Sequence, residues 1–461
     1  MTMEQTSLYR TIWRWHFYAG LFVIPMVLIL ALTGTVYLFK PQVDRWEERN
    51  FRNLPVAGAV MPGAQVKAAL AALPGARFQS YRLPEAEGDA ALVLVGLPDA
   101  PGGAREVFVS PQGEVVGVLD PARRIIQTAR DIHGQLLLGR RGSWIVELAA
   151  SWAIVMILTG LYLWWPRGQG LAGVVWPRLR AGRRVFWRDL HAVTGFWAAG
   201  FVLVLLATGL PWADVWGSGF KAVRTELGWV KGRQDWTIGG RAPDAGEHAA
   251  HAGQDGAAAT PAGAAMPMAG HAHGHGMSPV TLDEIAARAR SAHLPFPVIV
   301  TPPGTPQSFG PARADWSVRS DTQNRPQRVT LNYDAMTGRM TSREDFADQH
   351  VIDRAVGYGV AWHEGQLFGW VNQLIGVATA LMLMTLAISG FVLWRRRRPE
   401  DGLGAPPLPA VPARLRGVAA IVLLLAALLP LLAASLIALW LVERLVLARV
   451  PAASRWLGLT A

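Results

Sequence analysis

An α-helical integral membrane protein, with five transmembrane helices, a duplicated four-helix core and two external α+β modules, is the fold class that this sequence predicts. Three observations lead there. Charge-free apolar runs cover about 15–39, 148–165, 190–213, 365–394 and 417–442, each near or above the roughly 18–20 residues that cross a bilayer core. The stretch WHFYAGLFVIPMVLILALTGTVYLF returns 175 residues later as LHAVTGFWAAGFVLVLLATGLPW, with His16 on His191, Gly20 on Gly195 and Thr33-Gly34 on Thr208-Gly209. The short connections 166–186 and 395–416 together hold 11 Arg against 2 acids, which places them in the cytoplasm by the positive-inside rule.

The chain begins on the cytoplasmic side, and helix one (13–39) crosses outward. Its apolar run exceeds the roughly 7–15 residues of a signal-peptide core and no small-residue cleavage site follows, so we expect it to stay. A first periplasmic module fills 40–132, where a short helix is expected near Val66–Leu73. ARFQSYRLP, AALVLVGL and REVFVSPQGEVVGVLD read as strands, the last a hairpin turning at Pro111-Gln112-Gly113. An external histidine segment and helix two (133–165) return inward, and a basic cytoplasmic loop (166–186) leads to helix three (187–213).

The second periplasmic module spans 214–362 and repeats the strand-turn-strand pattern in WSVRS and QRVTLNYDAMTGRMTSRED, after an amphipathic helix in TLDEIAARARSAHL. Its insert, 239–278, is rich in Gly, Ala and Pro and cannot build a core, so it reads as disordered. His271, His273 and His275 with Met266, Met268 and Met277, preceded by His248 and His251, form a soft, multidentate set suited to copper or another late transition metal. A solvated linker is the alternative. A histidine segment and helix four (363–394), a basic loop (395–416) and a fifth helix (417–443) complete the chain; the fifth has no counterpart in the first half and carries no histidine.

The formal charge of +11 suggests no nucleic-acid partner, because the excess lies in the short loops, whereas 41–132 holds 10 basic residues against 11 acids and 213–362 holds 14 against 15. With no cysteine in 461 residues, disulfides, thiolate chemistry, cysteine-ligated clusters and covalent CxxCH haem attachment are excluded.

Aligning HGQLLLGRRGSWIVELAASWAIVMILTGLYLWW with HEGQLFGWVNQLIGVATALMLMTLAISGFVLWR sets His133 on His363, Gly139 on Gly369 and Gly160 on Gly390, with 27 residues from histidine to inner glycine in both. Four membrane-border histidines thus form two symmetric pairs. His16 and Gly34 are 18 residues apart, about five helical turns, so they share a face. Gly20 and Gly195 lie one turn from their histidines. The arrangement fits two haems stacked across a four-helix haem core: His16 and His191 hold an inner haem beside Gly160 and Gly390, and His133 and His363 an outer haem beside Gly34 and Gly209. Arg14 and Arg188 inside, with Arg130, Arg140 and Arg141 outside, stand where propionates would need them. Two imidazoles alone are too few ligands for a closed zinc or copper site.

These features resemble the PepSY-associated transmembrane helix family, whose members include inner-membrane di-haem reductases of ferric siderophores. The resemblance runs over about 13–398 through the HxxxG helix starts, HGQLLLG and HEGQLFG, and the PQGEVVG and AMTGRM turns. It implies PepSY-like external modules, two haem b, a bacterial inner-membrane location and electron flow from a cytoplasmic donor to a periplasmic ferric siderophore, releasing Fe(II). No GxGxxG fingerprint and no fused flavin domain is present, so the donor is a separate cytoplasmic reductase or quinol. The insert leaves iron versus copper open. Two further readings stand beside this one: a metal-acquisition or transport accessory that passes a metal inward, and a membrane-anchored PepSY regulator that binds peptidases or wall components.

Overall fold

The computed structural model describes residues 3–97, 103–166, 172–229, 279–305, 312–409 and 416–459. In chain order the helices are α1 (Met3–Leu38), α2 (Lys40–Glu47), α3 (Pro62–Ala72), α4 (Ile125–Gln135), α5 (Arg140–Trp164), α6 (Arg183–Gly209), α7 (Asp214–Glu226), α8 (Leu282–Ser291), α9 (Val351–His363), α10 (Trp370–Arg397), α11 (Arg416–Leu428), α12 (Pro430–Leu445) and α13 (Pro451–Trp456). The strands are β1 (Arg77–Arg82), β2 (Ala91–Gly96), β3 (Ala104–Val109), β4 (Val115–Leu119), β5 (Val298–Thr301), β6 (Trp316–Ser320), β7 (Val329–Tyr333) and β8 (Met340–Asp345). The His/Met-rich insert, including His271, His273, His275, Met266, Met268 and Met277, lies outside the described residues.

Among the described residues, five helices are long and apolar enough to cross a membrane: Thr6–Leu38, Arg140–Trp164, Arg183–Trp212, Trp370–Arg397 and Pro430–Arg449. Four of them close into a ring in the order α1, α5, α6, α10, each packed against its two neighbours. The fifth departs from the expected 417–443. Pro430 has no amide hydrogen to continue the ladder, so the apolar run breaks into α11 and α12 at Leu429, whose φ of −126° and ψ of 87° are not helical. Helix α12 packs on α5, where Trp152 donates to the Ser435 hydroxyl at 3.2 Å.

His133 and His363 sit on separate helices, α4 and α9, rather than at the start of the spanning helices. The chain reverses between α4 and α5 through Leu136 and Leu137 (φ 51° and 58°), and between α9 and α10 through Gly365 (φ 74°). Both reversals end on a glycine of nearly identical backbone, Gly139 (φ 57°, ψ −138°) and Gly369 (φ 58°, ψ −137°), a conformation closed to residues with a Cβ.

The two external modules are one sheet. All eight strands join in the order β4-β3-β2-β1-β5-β6-β7-β8, and β1 pairs antiparallel with β5 through Tyr81–Val300 and Arg82–Ile299. Strand β5 is the strand missing from the sequence reading, because only four residues flanked by prolines carry it. Alternate residues of the strands, Val93, Val95, Val107, Val109, Val298, Val300 and Val318, are fully buried in a single core with Val66 and Ala69 of α3 and Ile285 and Ala289 of α8. A capping box from Thr281 and Glu284 starts α8. The opposite face of the sheet carries Arg82 and Phe108, with Phe108 stacked on Phe51 at 4.3 Å.

Buried arginines fix the two histidine-bearing helices to this scaffold. Arg124, at the N-cap of α4, meets Glu47 at 2.9 Å, Glu48 at 3.0 Å, Glu106 at 2.8 Å and Asp44 at 3.5 Å. On α9, Asp353 meets Arg224 of α7 at 2.7 Å, and Glu147 of α5 holds the start of α7 by accepting from the amides of Val215 and Trp216.

Candidate functional site

The bundle brings the histidines together in two pairs. His16 of α1 faces His191 of α6 with ring centroids 6.4 Å apart and planes at 84°; His133 faces His363 with the same separation and planes at 86°. The second pair stands at the end of the bundle nearer the sheet, the first toward the other end.

Each ring is oriented by a hydroxyl on a neighbouring helix. His16 Nδ1 lies 2.9 Å from Thr159 Oγ1, and His133 Nδ1 lies 3.0 Å from Thr33 Oγ1. His191 and His363 repeat this with Ser389 Oγ and Thr208 Oγ1, both at 3.0 Å. A hydroxyl has one hydrogen. Here it is already donated to the carbonyl one turn earlier, of Val155, Ile29, Thr385 and Val204, at 2.6–2.8 Å. The hydroxyl therefore accepts, Nδ1 carries the proton, and Nε2 keeps its lone pair. No Nε2 has a hydrogen-bond partner among the described residues.

The residue after each hydroxyl is the glycine singled out by the repeat. A Cβ at Gly34, Gly160, Gly209 or Gly390 would stand 3.1, 3.2, 3.4 or 3.3 Å from Cε1 of His133, His16, His363 or His191. These glycines thus make room for the imidazole edge itself. Gly20 and Gly195 serve helix packing, facing Met156 and Leu386 at 3.4 Å.

The arginines divide. Arg14 is buried and donates to the Pro406 and Gly458 carbonyls at 2.6 and 2.7 Å, tying down the segments after α10 and α13. Arg188 pairs with Asp189 at 2.8 Å, and Arg140 with Asp214 at 2.8 Å. Arg141 is exposed. Arg130, one turn before His133, has no ion pair among the described residues and lines a cavity of about 370 Å³ between the sheet and the bundle.

That cavity draws on both halves of the repeat: Tyr37, Glu48, Arg82 and Phe108 from the first, Trp212, Asp321, Arg325 and Glu364 from the second. Burial alone would raise Glu48, but the guanidiniums of Arg82 and Arg124 outweigh it and hold its carboxyl below the usual range. Burial is likewise outweighed at Asp321, by Arg319, Arg328, Lys40 and Arg325. The lining carries acidic and basic side chains in nearly equal number.

Each histidine pair could supply two ligands, and among the described residues no group of three or more His, Cys, Asp or Glu could hold a metal ion. Two ligands suit a metal that brings its in-plane donors with it. With metal–nitrogen bonds of about 2.0 Å, two imidazoles on opposite sides of one metal have centroids about 6.3 Å apart; the observed 6.4 Å fits.

A profile of the PepSY-associated TM region matches residues 13–397. The chain belongs to this family. Among curated proteins, no sequence matches it. The PepSY-associated region takes in the four-helix ring, both histidine pairs and the sheet, and ends at Arg397, before α11 and α12. Within it, Thr159 and Ser389 escaped the sequence reading although the signal was there: all four glycines that face a histidine follow a Thr or Ser.

Proposed function

We propose that this PepSY-associated protein is a membrane-bound metalloreductase of the bacterial inner membrane. It moves electrons through two bis-histidine haems b to a metal complex in the periplasm, a ferric siderophore that leaves iron as Fe(II) for uptake. The observation that carries this reading is the pair of perpendicular imidazole couples, each with Nδ1 tied and Nε2 free at a separation suited to one metal.

Bound haem would be held by His16 with His191 and by His133 with His363, and would supply one-electron exchange rather than oxygen binding. The chain's own residues do the rest. The Thr and Ser hydroxyls fix ring rotation and tautomer, the glycines let the rings seat against the helices, and Arg130 stands ready for a propionate beside His133. The mixed lining of the cavity would suit a metal complex as acceptor, and Arg130 and Glu364, which line it, are close in sequence to His133 and His363. Electrons come from a cytoplasmic reductase or from quinol, consistent with the Arg-rich loops lying at the cytoplasmic side.

The test is spectroscopic. Purified protein should show reduced bands of bis-imidazole haem with two haems per chain, and the perpendicular ring planes should give a highly anisotropic low-spin ferric signal in electron paramagnetic resonance. His16→Ala and His191→Ala should lose one haem, and His133→Ala and His363→Ala the other. Protein expressed with ample haem and recovered without any would end this reading.

A further inference from the structure

We infer that Tyr37 and Trp212 form the contact through which electrons leave the His133–His363 site for an acceptor in the cavity. This rests on the proposed electron-transfer function.

The two aromatics occupy equivalent positions of the repeat, 175 residues apart. Tyr37 lies four residues, about one helical turn, after Thr33, and Trp212 lies four residues after Thr208; these are the hydroxyls that seat His133 and His363. Both rings line the cavity and both are half-buried, so each has one part packed in the protein and one part open to a ligand. The Arg325 guanidinium lies over the Trp212 ring at 5.3 Å and reaches Glu364, the neighbour of His363, at 3.8 Å. Arg130, one turn before His133, lines the same cavity beside Tyr37. Elements from both halves therefore converge on one opening, lined by both aromatic rings and by Arg130 and Glu364, close in sequence to His133 and His363.

Under the proposed function the occupant is a metal chelate, and a cavity of about 370 Å³ with charged lining suits a compact one. Polarizable ring edges offer a flat, amphipathic surface to such a chelate, and packed π-systems couple donor and acceptor better than aliphatic side chains or water. A haem iron held by His133 and His363 would supply one electron for each acceptor Fe(III) reduced to Fe(II). No bond is made and no proton moves.

The experiment is anaerobic stopped-flow reoxidation of the dithionite-reduced full-length protein by ferric EDTA, followed by the haem bands. Tyr37→Leu and Trp212→Leu should each slow reoxidation by about tenfold or more, roughly the effect of one unit of log rate on the barrier, with haem content and reduced spectrum unchanged. Tyr37→Phe and Trp212→Phe, which keep the ring, should react at close to the parent rate. Leucine variants that keep both haems and reoxidise as fast as the parent would overturn this inference and leave the proposed function standing. A protein without haem would remove the proposed function itself.

Discussion

Thr33, Thr159, Thr208 and Ser389 each give their one hydroxyl hydrogen to a carbonyl in their own helix, so each can only accept from the histidine it faces. The consequence is a free Nε2 on every ring. Thr159→Val keeps the shape and removes the acceptor, and losing such an outer partner typically weakens metal affinity by about 10–100-fold. We expect this variant to surrender the haem of the His16–His191 site faster to an excess of a haem-scavenging apoprotein, with Thr159→Ser restoring retention. Equal loss rates in valine and parent proteins would show that the hydroxyl positions nothing. The adjoining glycines add a steric limit. At Gly34 the His133 edge is closest, 3.1 Å from a would-be Cβ, whereas Gly209 leaves 3.4 Å, so alanine is better tolerated at Gly209 than at Gly34.

At the level of elements, α4 and α9 are short helices whose last turns carry the outer histidines, and the reversals that follow them fix how deep those histidines sit. Gly139 and Gly369 hold backbone angles that cost other residues about 1–3 kcal/mol. Gly139→Ala and Gly369→Ala should therefore shift the turn, lower haem loading at the His133–His363 site and leave the His16–His191 site filled, as difference spectra would report. The other end of α4 is set by Arg124 among four carboxylates. Removing one partner of such a buried cluster costs about 3–5 kcal/mol, so Arg124→Ala should lower the thermal unfolding midpoint clearly. An unchanged midpoint would mean that the cluster is not what anchors α4.

For the molecule as a whole, charge couples the sheet to the bundle. Glu48 and Asp321, one in each module, are both held below the usual carboxylate range by neighbouring guanidiniums that outweigh the effect of burial. A depressed folded-state pKa contributes stability that is present above the unfolded value and is lost as pH falls through the folded one. The junction should thus be insensitive to pH near neutrality and weaken as pH drops through and below the ordinary carboxylate range. Thermal unfolding followed across that interval checks the sign; a midpoint that rises on acidification would contradict it.

The membrane helices and the histidine pairing were legible because both follow from local rules. A charge-free run long enough to span is read directly, and within each repeated segment equivalent residues keep one offset, 175 for His16 and His191 and 230 for His133 and His363. The hairpins of the sheet were legible for the same reason, as alternating residues around a turn. What the sequence by itself determined is therefore the inventory: which four segments of the ring are long and apolar enough to cross, which four histidines correspond, and which glycines accompany them. Tertiary structure decided the rest. The short strand β5 joins two modules into one sheet through a pairing between residues more than 200 positions apart, which no local pattern announces. The partners of Arg14, Arg140 and Arg188, the break at Pro430, the hydroxyl facing each imidazole and the cavity bounded by Tyr37 and Trp212 all depend on distances between helices. Such distances are set by packing, and packing is a property of the assembled bundle rather than of any one segment.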